Sequence, residues 1–115
     1  MPENPHLLSW LLVGHLVGDY LLQTAWMADR KAEQWLPLLV HAAVYTLCVW
    51  LSSLPAGGLG PRGLALVFAA HLVVDRRRAV AWWVRNVCRA ERVPGMFLAV
   101  DQSWHALVLA LAVLV

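Results

Sequence analysis

The sequence predicts an all-α membrane protein: a four-transmembrane-helix bundle with a short interfacial amphipathic helix between the third and fourth spans. Three observations predict it. Of 115 residues, 61% are apolar and 14% are charged, with a mean hydropathy of +0.63, well outside the usual soluble mix. A chain this short buries too small a fraction of its surface to hide that much apolar area in its own core. The apolar residues also gather into four windows near the roughly 20 residues that a spanning helix needs. Residues 1–115 therefore read as a single transmembrane domain.

The first span is expected from Pro5 to Ala28, with Asn4 as its cap and Pro5 at the first helical position. The second runs from Leu36 to Leu54 and stops at Ser52-Ser53 and Pro55-Ala56-Gly57-Gly58. The third starts near Pro61 and reaches Arg76-Arg77-Arg78; its uncharged stretch is short, so its arginines must snorkel to the interface. The fourth follows Pro94-Gly95 and continues to Val115. Between the last two, Ala79 to Val93 reads as the interfacial helix, with Trp82, Trp83 and Val87 toward lipid and Arg78, Arg85, Arg89 and Arg92 toward water.

Charge sets the expected orientation. Arg30 and Lys31 follow span one, and Arg76, Arg77, Arg78, Arg85, Arg89 and Arg92 follow span three, leaving only Arg62 on the other side. The positive-inside rule then places the basic loops in the cytoplasm and both termini outside, as for a bacterial inner-membrane protein. Trp26, Trp35, Trp82 and Trp83 fall near the cytoplasmic interface, and Trp10 and Trp50 near the outer one. The first span lacks a basic leading region and a small-residue cleavage site, so it does not read as a removable signal peptide. A net charge of +2 makes no case for nucleic acid. Cys48 and Cys88 form neither a disulfide framework nor a metal-ligand spacing and read as packing thiols.

Against this apolar background the ionisable residues stand out. An ionisable side chain costs roughly 2.5–3.5 kcal/mol at a helix centre on insertion scales. The spans nevertheless contain His15, Asp19, His41, His71, Asp75, Asp101 and His105, while Glu3, Glu33 and Glu91 stay in loops or at the terminus. His15 and Asp19 are four apart and share a helix face; His71 and Asp75 repeat the pattern, and Asp101 and His105 reverse it. At about 1.5 Å rise per residue, all seven can meet in one layer in the cytoplasmic half of the bundle.

Imidazole with carboxylate is the donor set of zinc first, and of iron or manganese. Four histidines and three aspartates exceed what one tetrahedral ion needs and suit one or two ions, with a carboxylate bridging a pair. The same pairs can instead hydrogen-bond to one another and hold helices together, or relay protons. Gln23, Tyr20, Gln102 and Ser103 flank the candidate ligands. Gly14 and Gly18 are spaced as a small-residue contact face, and Arg76 to Arg78 could hold a substrate phosphate.

The expected function is therefore a metal-dependent hydrolase with a mono- or dinuclear site, acting on a lipid-linked or membrane-proximal substrate, with Asp19 or Asp101 as general base. One alternative is a metal-ion or proton transporter; the nearly apolar outer halves of the spans would then need a homo-oligomer to line a route. The other is a membrane adaptor or pore-former in which the His-Asp pairs are polar glue.

The segment from Gly14-His15-Leu16-Val17-Gly18-Asp19 to Tyr20-Leu21-Leu22-Gln23-Thr24 resembles the opening of a family of small bacterial and phage membrane proteins, catalogued as domain of unknown function 3307. His41, His71-Leu72-Val73-Val74-Asp75 and Asp101-Gln102-Ser103-Trp104-His105 fit the same pattern in order. That resemblance implies a helical membrane domain and supplies no activity. Through the His-x-x-x-Asp pairs alone, the chain is loosely similar to predicted membrane-bound metal-dependent hydrolases.

Overall fold

The computed structural model describes residues 4–115, and Glu3 lies outside them. Six α-helices follow one another: α1 Leu7–Leu16, prolonged by a π turn over Val17–Leu21; α2 Ala25–Arg30; α3 Trp35–Ser53; α4 Pro61–Asp75; α5 Arg78–Trp83, prolonged by a π turn over Val84–Cys88; and α6 Met96–Leu114. Among the described residues there is no β-strand. Helices α1, α3, α4 and α6 pack in a ring, each against its chain neighbour, and α1 closes on α6.

Two helices are long and apolar enough to cross a membrane, Trp35–Ala56 and Met96–Leu114. The other two long elements are shorter. The expected first span is interrupted: its helix starts at Leu7, not Pro5, and stops before Leu22-Gln23-Thr24, and α2 is a separate helix. Asn4 Oδ1 does accept His6 N–H at 2.8 Å, so the capping bond forms one turn-step ahead of the helix. The break arises because Thr24 caps α2, its Oγ1 accepting from Met27 N at 3.4 Å. Helix α4 begins at Pro61 as expected, since proline in the first turn lacks only an N–H that would have no partner. It has 15 residues, about 22 Å at 1.5 Å per residue.

The amphipathic helix is also shorter than expected, ending at Cys88 with Arg89 in the left-handed region (φ 51°). Trp82 and Val87 are exposed, but Trp83 stacks edge-on against Trp104 of α6, with ring centroids 5.0 Å apart. Trp83 thus docks α5 onto the bundle instead of pointing away from it. Cys48 is buried and Cys88 exposed, and both are free thiols.

Each long helix turns one stripe inward at the spacing of a helix face. The stripes are Leu7, Leu11, His15 and Asp19; Leu38, His41, Ala42, Tyr45 and Val49; Val67, His71 and Asp75; and His105, Leu109 and Ala112. Apolar residues occupy one end of these stripes and ligand-type residues the other. Leu7, Leu11, Val49, Ala56, Leu59, Val67, Leu109 and Ala112 pack together, while the histidines and aspartates gather at the opposite end.

Two glycines allow the close approach this requires. A Cβ at Gly14 would lie 2.8 Å from both Cys48 O and Val49 Cα, and one at Gly63 would lie 2.8 Å from Ala112 O. These are backbone atoms of packed helices and cannot swing aside. Gly14→Ala is expected to destabilise the fold by about 1–3 kcal/mol, the usual range for overpacking. Thermal unfolding in detergent measures it; an unchanged midpoint would mean that α1 does not pack this closely on α3.

Candidate metal centre

All seven sequence-predicted ligands come together. His15, Asp19, His41, His71, Asp75 and His105 are at most 5% exposed, and the Asp101 side chain is 15% exposed. Asp19 reaches the interior from the π turn after α1, where Leu22 N–H donates to Val17 O at 2.9 Å. Such wide turns recur at functional sites, and nothing in the residue spacing announces this one.

Asp19 Oδ1, His41 Nε2, His71 Nε2 and Asp75 Oδ2 form a compact set. His41 Nε2 lies 3.0 Å from Asp19 Oδ1 and 3.0 Å from Asp75 Oδ2, and His71 Nε2 lies 2.9 Å from Asp75 Oδ2 and 3.8 Å from Asp19 Oδ1. Donors bound tetrahedrally at 2.0–2.1 Å would stand about 3.3 Å apart; these four distances bracket that spacing, and all four atoms lie within 4.8 Å of one another. Asp75, Asp101 and His105 form an adjoining set. His105 Nε2 is 3.3 Å from Asp75 Oδ1 and 3.6 Å from Asp19 Oδ2. Asp75 thus offers one carboxylate oxygen to each set.

Proton placement follows from the partners. His105 Nδ1–H donates to the Asp101 carbonyl oxygen at 2.8 Å, which leaves Nε2 as a lone pair. That is the arrangement in which a histidine binds metal, its other nitrogen held by a backbone carbonyl. His71 Nε2 and His105 Nε2 are both buried without a hydrogen-bond partner, although carboxylate oxygens lie 2.9 and 3.3 Å away. The oxygens are close, but off the direction in which a ring N–H points.

His15 is placed differently. Its Nε2–H donates to Gln102 Oε1 at 2.6 Å, so its Nδ1 accepts from the Tyr45 hydroxyl at 2.8 Å. Both nitrogens are engaged, and His15 borders Asp19 Oδ2 at 3.6 Å as a support to the cluster. Gln102 also donates from Nε2 to Asp101 Oδ2 at 3.0 Å, and Gln23 Nε2 donates to the Asp19 carbonyl oxygen at 2.9 Å. Ser103 bonds only within its own helix, to Ala99 O at 2.6 Å.

Two residues of the site escaped the sequence reading. Lys31, read as a loop charge, is 8% exposed and donates from Nζ to Asp75 Oδ2 at 2.8 Å. The available signal was Met27 four residues earlier: both face inward from α2 and the turn after it. Tyr45, one turn after His41, stacks on His71 with ring centroids 4.0 Å apart. With neutral imidazoles, three carboxylates against one ammonium leave two negative charges in the cluster, the charge that one divalent cation cancels.

Asp19, Asp75 and Asp101 also line the floor of a cavity of about 240 Å³. Lys31, Arg77, Tyr20, Gln23, Gln102, Phe97 and Leu98 complete its wall. The three consecutive arginines part company here. Arg76 donates to Ala32 O at 3.3 Å and lies over the Trp35 ring, Arg77 lies over Phe97 at the cavity, and Arg78 is exposed.

No curated protein and no solved structure matches the chain. One family model does, over residues 7–115, and its description is protein of unknown function (DUF3307). That match takes in every long helix and all seven clustered histidines and aspartates, and the chain belongs to this family.

Proposed function

We propose that the chain is a polytopic membrane protein of four spans whose interior holds a divalent metal centre, and that this centre hydrolyses a lipid-linked or membrane-proximal substrate. The observation that carries the metal is the pair of orphaned nitrogens, His71 Nε2 and His105 Nε2, each facing a carboxylate oxygen of Asp75 with no hydrogen bond between them. Buried polar atoms without partners are rare and call for an ion or water. Zinc suits the nitrogen and carboxylate donors best, with iron and manganese next.

Four spans are supported by the outward residues. Leu8, Leu12, Leu16, Leu39, Leu47, Leu51, Val73, Leu107, Leu111 and Leu114 are exposed on the four long helices, and such a surface is stable in lipid. Helices α1 and α4 reach the full hydrocarbon thickness of about 30 Å only with interfacial help. The π turn prolongs α1, and the Arg76 and Arg77 side chains extend the end of α4 to the interface. Arg76 meets Ala32 and Lys31 meets Asp75, so the two basic loops share one end of the bundle. By the positive-inside rule that end is cytoplasmic, with both termini outside.

For hydrolysis, a bound ion would supply an acidified water and polarise the substrate. His41, His71, His105, Asp19 and Asp75 would hold it. Asp101, the most exposed of the three clustered carboxylates and on the cavity floor, would serve as general base; Asp19, bonded to His41, would serve as a ligand. Transport fits less well, because the other half of the interior is closed by Leu11, Val49, Val67 and Leu109.

The Lys31–Asp75 pair favours one second reading, a cluster that neutralises its own charge and serves only as polar glue. Metal content separates the two. The purified chain is expected to carry about one to two ions, and chelation is expected to remove about 2.7 kcal/mol of stability if the metal stood at 100 times its Kd. Mass-spectrometric metal analysis that finds none, even after incubation with zinc, iron and manganese, leaves the polar-glue reading.

A further inference from the structure

The cavity beside the cluster has a composition that the metal does not explain. Arg77 is one of two non-glycine residues among those described with positive φ (71°), a conformation uncommon for such a side chain. It reverses the chain between α4 and α5 and lays its guanidinium 5.4 Å from the Phe97 ring centre. Among the described residues that guanidinium has no hydrogen bond or ion pair, although it lines the same cavity as three carboxylates. Arg76 has a carbonyl and an indole; Arg77 lines the cavity with only the Phe97 ring beside its guanidinium. Lys31 adds a second cation to the wall.

We propose that this cavity binds the phosphate group of a phosphate-monoester amphiphile, Arg77 and Lys31 meeting the phosphate oxygens and the apolar tail leaving along Phe97 and Leu98. Guanidinium groups match phosphate oxygens in pairs. A volume of about 240 Å³ is below the roughly 300–1,000 Å³ that encloses a whole small molecule. It therefore takes a head group while the tail lies outside, where Leu98 is 56% exposed. The inference rests on the metal centre proposed above, because the floor of Asp19, Asp75 and Asp101 repels a phosphate unless a cation covers it.

The test uses the full chain in phosphatidylcholine nanodiscs, with zinc content measured on every sample. Calorimetric titration with short-chain phosphatidic acid forms one arm and inorganic phosphate the other. Zinc-loaded protein is expected to bind phosphatidic acid, and Arg77→Asn to weaken it about tenfold or more with zinc content unchanged. Asparagine is chosen because it tolerates the left-handed backbone, and Arg78→Asn serves as the charge-matched control that keeps full affinity. Phosphatidic acid binding tighter than inorganic phosphate supports a lipid head group, and equal affinities support the same phosphate site filled by a soluble ester. Zinc-loaded protein that binds neither, or binds equally well after Arg77→Asn, overturns the inference and leaves the metal centre standing. Protein that takes up none of zinc, iron and manganese overturns both.

Discussion

Asp75→Asn is expected to abolish metal binding and to destabilise the fold at the same time. The carboxylate meets Lys31 and every imidazole of the centre except His15: Oδ2 is 2.8 Å from Lys31, 3.0 Å from His41 and 2.9 Å from His71, and Oδ1 is 3.3 Å from His105. An amide keeps the shape but loses the charge. Removing one partner of a buried ion pair costs about 3–5 kcal/mol, because the other charge stays behind. Here that charge is Lys31, whose side chain is 10% exposed. The double variant Asp75→Asn, Lys31→Met is then expected to recover most of the stability and none of the metal. Metal analysis beside thermal unfolding reads both effects. Full metal stoichiometry in the single variant would falsify the assignment of Asp75 as the shared ligand.

Lys31→Met alone is expected to make stability depend on metal far more than in the unaltered chain. The ammonium and a metal ion compete for the same oxygen, Asp75 Oδ2. With Lys31 gone, the cluster holds three carboxylates and no fixed cation, so a divalent ion becomes its sole source of positive charge apart from protonated histidine. Zinc-loaded Lys31→Met is expected to unfold near the midpoint of the unaltered chain. After chelation it is expected to fall by about 3–5 kcal/mol, the cost of a buried carboxylate left unpaired. A polar-glue cluster behaves otherwise: the variant loses that stability equally with and without zinc. Unfolding curves at matched detergent and pH distinguish the two, and equal losses would remove the case for a metal centre.

Much of this site was legible because a helix converts spacing into direction. His15 and Asp19, His71 and Asp75, and Asp101 and His105 are each four apart, and in the structure the members of each pair approach within 3.6 Å. Gly14 and Gly18 read as a contact face, and both sit against α3. Breaker residues marked the ends of α3, α4 and α6 to within a residue or two, since Pro61 and the Gly57-Gly58 turn leave the backbone little choice. The first span was the failure. Leu21, Leu22 and Ala25 to Ala28 continue the apolar composition, but the helix lapses at Leu22-Gln23-Thr24, where Thr24 caps a new helix.

Lys31 shows the other limit. By composition it is a loop cation that helps set topology, and its neighbours Arg30 and Glu33 are exposed as such a loop requires. Only the fold of α2 against α3 brings its ammonium to Asp75, 44 residues away in the chain. Tyr45 likewise reads as a core aromatic until the ring of helices sets it on His71 and under the hydroxyl-accepting His15.

What the amino-acid sequence determined by itself was the helical class, the inward face of each long helix and the identity of all seven clustered histidines and aspartates, because each depends on a period of 3.6 residues within one helix. The tertiary structure alone decided that Asp75 is shared, that His15 supports, that His71 and His105 hold nitrogens without partners, and that Lys31 and Arg77 flank the centre. Those are distances between helices, set by how closely Gly14 and Gly63 let the backbones approach, and no spacing along one chain segment encodes them.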